Sequence, residues 1–264
     1  MTKKAIITSD LHYGITSPSR LLQLKDLMLR HDPSVIIIAG DIGEPAHDFK
    51  SCLELFSDIH CPVGVVIGNH DLYNTAGFNH SEELWNEVLP GIVKECGFVW
   101  MESESIVLGE TSFIGSMAWY EYSSRAPELD HLPDDFFFAS KGRFVSDGIY
   151  IDWEREDKAL AAELLERLLK RLKKAQEDPS VRRIVVVTHV PLFPGQMVHY
   201  RSDNAYADAY FGNFTFGKEI SRFSKVTDIV SGHTHRGIDK VIGNIRVQVI
   251  PSDYRKPDFI VIGF

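Results

Sequence analysis

Five hydrophobic runs in this chain each break off at a short polar motif. The runs are Ala5-Ile6-Ile7-Thr8, Val35-Ile36-Ile37-Ile38-Ala39, Val63-Gly64-Val65-Val66-Ile67, Ile184-Val185-Val186-Val187 and Asp228-Ile229-Val230-Ser231. They lead into Asp10-Leu11-His12, Gly40-Asp41, Gly68-Asn69-His70-Asp71, Thr188-His189 and Gly232-His233-Thr234-His235. Unbroken β-branched runs suit strands buried on both faces, as in a parallel sheet covered by helices. Parallel strands point one way, so their carboxyl ends share a rim, where α/β proteins build their sites. The pattern predicts that carboxylates, five imidazoles and an amide converge on one small region.

Between Asp10 and Asp41, and again between Asp41 and Asn69, lie roughly 30 residues, the length of a βαβ unit. A first helix is predicted from Ser17-Pro18 to Asp32-Pro33, with Leu21, Leu24, Leu27 and Met28 at helical spacing. A second is predicted over 48–59 and a third over 81–96. Strands follow at 98–100, 105–108 and 111–115. The stretch 119–152 is rich in aromatic residues and shows no clean period, and 191–216 is a second irregular segment. Both read as lid-like insertions of a single domain spanning 1–264, since long irregular segments inside a compact domain are usually functional. A long helix is expected over 153–175, a short one over 217–223, and strands at 241–242, 245–250 and 259–262.

Bulk properties narrow the function classes. The formal net charge of -9 argues against non-specific nucleic-acid binding, which draws on a positive surface. No stretch reaches the roughly 20 apolar residues of a membrane span. The short apolar run before Asp10 does not fit a signal peptide. Cys52, Cys61 and Cys96 are odd in number and lack zinc-ribbon spacing, which points to reduced thiols in a cytoplasmic protein.

Imidazoles, carboxylates and an amide without thiolate suit two divalent transition-metal ions, Mn²⁺ foremost, with Fe, Zn²⁺ or Ni²⁺ as alternatives. Eight donors exceed the needs of one tetrahedral ion, whereas a pair held roughly 3.5–4 Å apart would use them. Two such ions leave a locally positive landing point for phosphate on an acidic body.

The ordered set D-x-H, G-D, G-N-H-D, a lone H after a strand and G-H-x-H resembles the calcineurin-like metallophosphoesterases, with motifs running from Asp10 to His235. The resemblance implies a four-layer α/β/β/α double β-sandwich. It implies Asp10, His12 and His235 on one metal, Asn69, His189 and His233 on the other, and Asp41 bridging. It gives His70 the departing alkoxide or a phosphoryl oxygen, with Asp71 orienting the His70 ring. The implied activity is hydrolysis of a phosphate ester, a small-molecule phosphodiester or nucleotide, by attack of a metal-bound hydroxide. Ile42-Gly43-Glu44 follows Gly40-Asp41, where the protein serine/threonine phosphatases carry an arginine, which argues against a phosphoprotein substrate.

Two other readings stay open. A non-catalytic scaffold of this fold, like the retromer subunit, would have lost the histidine at the position of His70, which this chain keeps. A nuclease would bring a basic extension, and the chain ends soon after its last strand. Of the remaining histidines, His199, close to Arg201 and just downstream of His189, is the one expected to contact substrate together with that arginine. The oligomeric state is open.

Overall fold

The computed structural model describes residues 2–75, 77, 79–197 and 205–264. Two mixed sheets form its centre. In the first, β1 (Lys4–Thr8), β2 (Val35–Ala39), β3 (Val63–Val66) and β4 (Val99–Trp100) run parallel. Strand β11 (Phe259–Gly263) closes the other edge, antiparallel to β1. In the second, β6 (Thr111–Ser116), β7 (Arg183–Thr188), β8 (Val226–Ser231) and β10 (Ile245–Val249) are parallel. Antiparallel edge strands β5 (Ser105–Leu108) and β9 (Ile238–Ile242) flank them.

Period-two alternation explains how these runs make a sandwich. Ala5, Ile7, Val35, Ile37 and Ala39 pack with Phe113, Val185, Val187 and Val230 between the sheets. Their neighbours Ile6, Ile36 and Ile38 face the other way, into a core shared with Leu21, Leu24 and Met28 of α1 (Pro18–Leu29) and Phe49 and Cys52 of α2 (Ala46–Glu54). On the second sheet Ile184 and Val186 pack outward with Leu164, Leu168 and Leu172. A run that is apolar on both faces is what a strand between helices and a second sheet requires. The four-layer α/β/β/α arrangement expected from the sequence is the one observed.

The differences lie in the helices. The second helix ends at Glu54 instead of 59, because tighter bonds, Phe56 N–H to Leu53 O and Ile59 N–H to Phe56 O, take over. The predicted helix over 81–96 is one helical path in three parts: α3 (Ser81–Glu83), a π turn over Leu84–Val88 and α4 (Leu89–Glu95). Pro90 has no N–H to give back to the preceding turn, which favours a widened turn there. The short helix α8 is Phe214–Ile220 instead of 217–223, because Asn213 caps it, accepting the Phe216 N–H.

The segment 119–152 carries more regular structure than its sequence suggests. It contains α5 (Asp134–Phe144) and α6 (Asp147–Tyr150), with Trp119, Tyr120, Tyr122 and Phe137 fully buried. Consecutive Phe136, Phe137 and Phe138 erase any helical period in α5. The long helix α7 starts at Asp157, four residues later than expected, and runs to Glu177. Trp153 before it packs edge-on against Trp119. Asp157 ties α7 to the segment, accepting hydrogen bonds from Trp119 Nε1, Tyr122 Oη and Lys141 Nζ. Among the described residues, no helix is long and apolar enough to cross a membrane.

Candidate metal centre

The parallel strands deliver their motifs to one rim, and backbone bonds lock those turns together. Asp10 N–H donates to Gly40 O and His12 N–H to Asp41 O, both at 2.9 Å, while Gly232 N–H donates to His189 O at 3.0 Å. Asp10, His12, Asp41, His233 and His235 all have positive φ, between 42° and 70°. Left-handed backbone costs a non-glycine residue roughly 1–2 kcal/mol, so five such residues at one place mark a site where geometry is held against local preference. Gly40, at φ 90°, approaches the His189 ring so closely that a Cβ would lie 2.5 Å from Nδ1. Only glycine fits there.

Two donor groups result, sharing Asp41. Asp10, His12, Asp41 and His235 form one, and Asp41, His189 and His233 the other, each with ligand atoms within 4.8 Å of one another. Asp41 faces both: Oδ2 lies 3.6 Å from His12 Nε2 and Oδ1 lies 3.4 Å from His189 Nε2. His235 Nε2 lies 3.5 Å from Asp10 Oδ1. Asn69 joins the second group, its Oδ1 3.1 Å from His189 Nε2.

The protonation pattern suits cations. His189 Nδ1 lies 2.9 Å from the Ala39 carbonyl, which accepts only from an N–H, so in the neutral ring the Nε2 lone pair faces Asn69 Oδ1 and His233 Nδ1, the latter at 3.2 Å. Asn69 Oδ1, itself only an acceptor, thus meets the unprotonated His189 nitrogen at 3.1 Å with no proton between them. Nε2 of His12 and of His233 are buried without a hydrogen-bond partner. Burial holds the His12 ring neutral, with its pKa down to about 3, and pushes His233 well below the imidazole range. Burial drives Asp41 upward, but His189, His70 and His12 outweigh it and keep the carboxylate ionised. Burial works against charge on His189 too, but Asp41 and Asp10 beside it raise its pKa, and burial raises that of Asp10. The neutral His12 and His233 rings beside ionised Asp41, with orphaned buried nitrogens, fit hard or borderline divalent metals.

The expected pairing of Asp71 with the His70 ring is not what the structure holds. Asp71 Oδ1 accepts from Ile42 N–H at 2.7 Å and Gly43 N–H at 3.1 Å, and Oδ2 accepts from Gly68 N–H at 2.8 Å. Both oxygens are spent on backbone, so Asp71 welds the β2 and β3 turns together instead of orienting the ring. That place belongs to Glu44, whose Oε1 lies 3.3 Å from His70 Nδ1. Burial opposes charge on His70, but Asp41 and Glu44 outweigh it and raise its pKa to about 9.

Asp41, Asn69, His70, His233 and His235 line a cavity of about 450 Å³. Both insertions supply walls: Phe144, Val145, Ser146 and Asp147 from the first, Tyr210 and Phe211 from the second. Tyr254 packs against the His12 and His235 rings at 4.5 and 4.7 Å and completes the rim. His199 and Arg201 lie outside the described residues. The site residues that sequence reasoning missed are Glu44, Tyr73, Asp147 and Tyr254. Glu44, three positions after Asp41 in a strand-end loop, had a usable signal; Asp147 had none.

Residues 3–237 match the family of calcineurin-like phosphoesterases, and the chain belongs to that family, whose members are metal-dependent hydrolases of ester bonds with dinuclear centres. Similar solved structures include phosphopantetheinyl hydrolase from Mycobacterium tuberculosis, with a TM-score of 0.75 and 19% identity over 98% of this chain and 96% of that one. A dimetal phosphatase from Danio rerio aligns with a TM-score of 0.62 and 13% identity, over 98% and 91%. A Thermus thermophilus protein, TT1561, aligns at 0.58 and 11%, over 98% of each chain. At these identities the likeness is one of fold. No curated protein matches the chain in sequence.

Proposed function

We propose that the chain, acting as one domain, is a two-metal phosphodiesterase for a small organic or nucleotide substrate. The observation that carries this is the pair of donor groups sharing Asp41 at the floor of a 450 Å³ cavity. Asp10, His12 and His235 would hold one ion, Asn69, His189 and His233 the other, with Asp41 common to both. When bound, the ions supply Lewis acidity toward the phosphoryl group and ease the ionisation of water. Manganese is the ion proposed first, with iron, zinc or nickel as alternatives, since oxygen and nitrogen donors without a thiolate admit all four.

The remaining residues divide the work. Glu44 fixes the His70 ring through Nδ1, which leaves Nε2 to hold a proton for the departing alkoxide. Phe144, Phe211 and Tyr254 offer apolar and stacking surface to the ester group, since the phosphoryl group itself distinguishes no substrate. The cavity is the size of small-molecule sites, within roughly 300–1,000 Å³, which favours a nucleotide or comparable diester over a protein surface.

The test is to strip the metals, restore Mn²⁺, and compare a monoester, a linear diester, a cyclic nucleotide, a pyrophosphate and a phosphopantetheinyl diester. The last is included because the fold neighbour is named for it. A clear kcat/KM preference for a diester supports the proposal. Equal or better turnover of monoesters would make the enzyme a phosphatase, and no turnover of any would return the scaffold reading.

A further inference from the structure

Asn69 is held from outside the motif that contains it. Its Nδ2 donates to Asp147 Oδ1 at 2.7 Å, across 78 positions of sequence. The same oxygen accepts the Tyr73 hydroxyl at 2.6 Å, and Oδ2 accepts the Tyr120 hydroxyl at 2.8 Å. Asp147 is only 3% exposed and opens α6 in the first insertion. Asp147 Oδ1 accepts from the amide as it does from the Tyr73 hydroxyl, so it selects one of the two amide orientations. The selected one turns Asn69 Oδ1 toward His189. The reverse would set oxygen against oxygen and present an NH₂ group to the donor cluster.

We propose that Asp147 is a positioning residue of the metal centre, locking the Asn69 amide with its oxygen toward His189. The first insertion then completes the donor set of one ion in addition to walling the cavity. The two tyrosine hydroxyls hold the carboxylate in place, as outer partners of metal ligands commonly do. This rests on Asn69 being a ligand, as set out under Proposed function.

The test is equilibrium dialysis of the full-length apo chain against Mn²⁺, with Co²⁺ absorption as a second readout of coordination. Asp147→Leu should weaken one of two binding steps about 10–100-fold and leave the other within about twofold. Asn69→Ala should weaken the same step, and the double variant should add little, because both act through one amide. Asp147→Asn keeps an acceptor oxygen and should recover part of the loss. Tyr122→Phe loosens the insertion at Asp157, away from Asp147, and should leave both steps unchanged. If Tyr122→Phe reproduced the loss, or Asp147→Leu kept both affinities while Asn69→Ala lost one, the positioning role would be overturned and the ligand assignment would stand. If Asn69→Ala kept both, the ligand assignment itself would fail and take the proposal with it.

Discussion

Glu44 Oε1 lies 3.3 Å from His70 Nδ1, while the carboxylate next to His70 in sequence, Asp71, is occupied by three backbone amides. The histidine therefore takes its orientation from the loop after β2, the same loop that carries Asp41. The proposed proton-transfer group and the carboxylate common to both donor groups are thus set by one turn.

If this pair serves the leaving group, His70→Ala should lower kcat by roughly 10²–10⁴-fold with both metals retained. Glu44→Gln should cost less, about 10–100-fold, because the ring remains and only its orientation loosens. For a nitrophenol leaving group, which needs little protonation, both losses should shrink. Steady-state kinetics alongside elemental analysis checks this; metal lost in step with activity would make His70 a ligand.

Asp41→Asn should weaken both metal sites at once, since each oxygen faces a different histidine group. Mn²⁺ titration of the variant should show neither step at the wild-type concentration. A variant that loses one ion and keeps the other would show that the carboxylate is not shared.

Replacing 119–152 by a short Gly-Ser connection should remove specificity and metal affinity together. A lid alone would leave the metals in place, but Asp147 bonds to Asn69 and the fully buried Trp119, Tyr120 and Tyr122 are part of the core. Metal analysis of a folded replacement that still bound two ions tightly would restore the simple lid.

Glu102 is buried, with one oxygen lacking a partner, and burial raises its pKa to about 7, against an unperturbed 4.5. The folded state thus binds more protons than the unfolded chain between those values. Stability from this group is full below about pH 4.5 and is lost as pH rises through about 7, on the order of 3 kcal/mol if the whole shift is realised. Glu102→Gln, which keeps the acceptor for Met117 N–H, should raise Tm relative to wild type at pH 8 and much less at pH 5. Thermal melts at the two pH values check this; an equal change at both would remove the titration argument.

Much of the centre was legible in the sequence. Ile36-Ile37-Ile38 before Gly40-Asp41, or Val185-Val186-Val187 before His189, places strand and ligand within a few residues, so the strand's direction and burial carry its motif to the rim. The common parallel sense of β1, β2, β3, β7 and β8 then does the gathering. The contacts of Glu44 and Asp147 and the backbone partners of Asp71 were decided by tertiary structure. Glu44 reaches His70 across 26 positions and Asp147 reaches Asn69 across 78. A single polar residue in a turn, or at the start of a short helix, leaves no periodic trace of its partner. A strand advertises itself through the repeat of its own neighbours, whereas a hydrogen bond between distant loops exists only once the sheets have fixed where those loops lie.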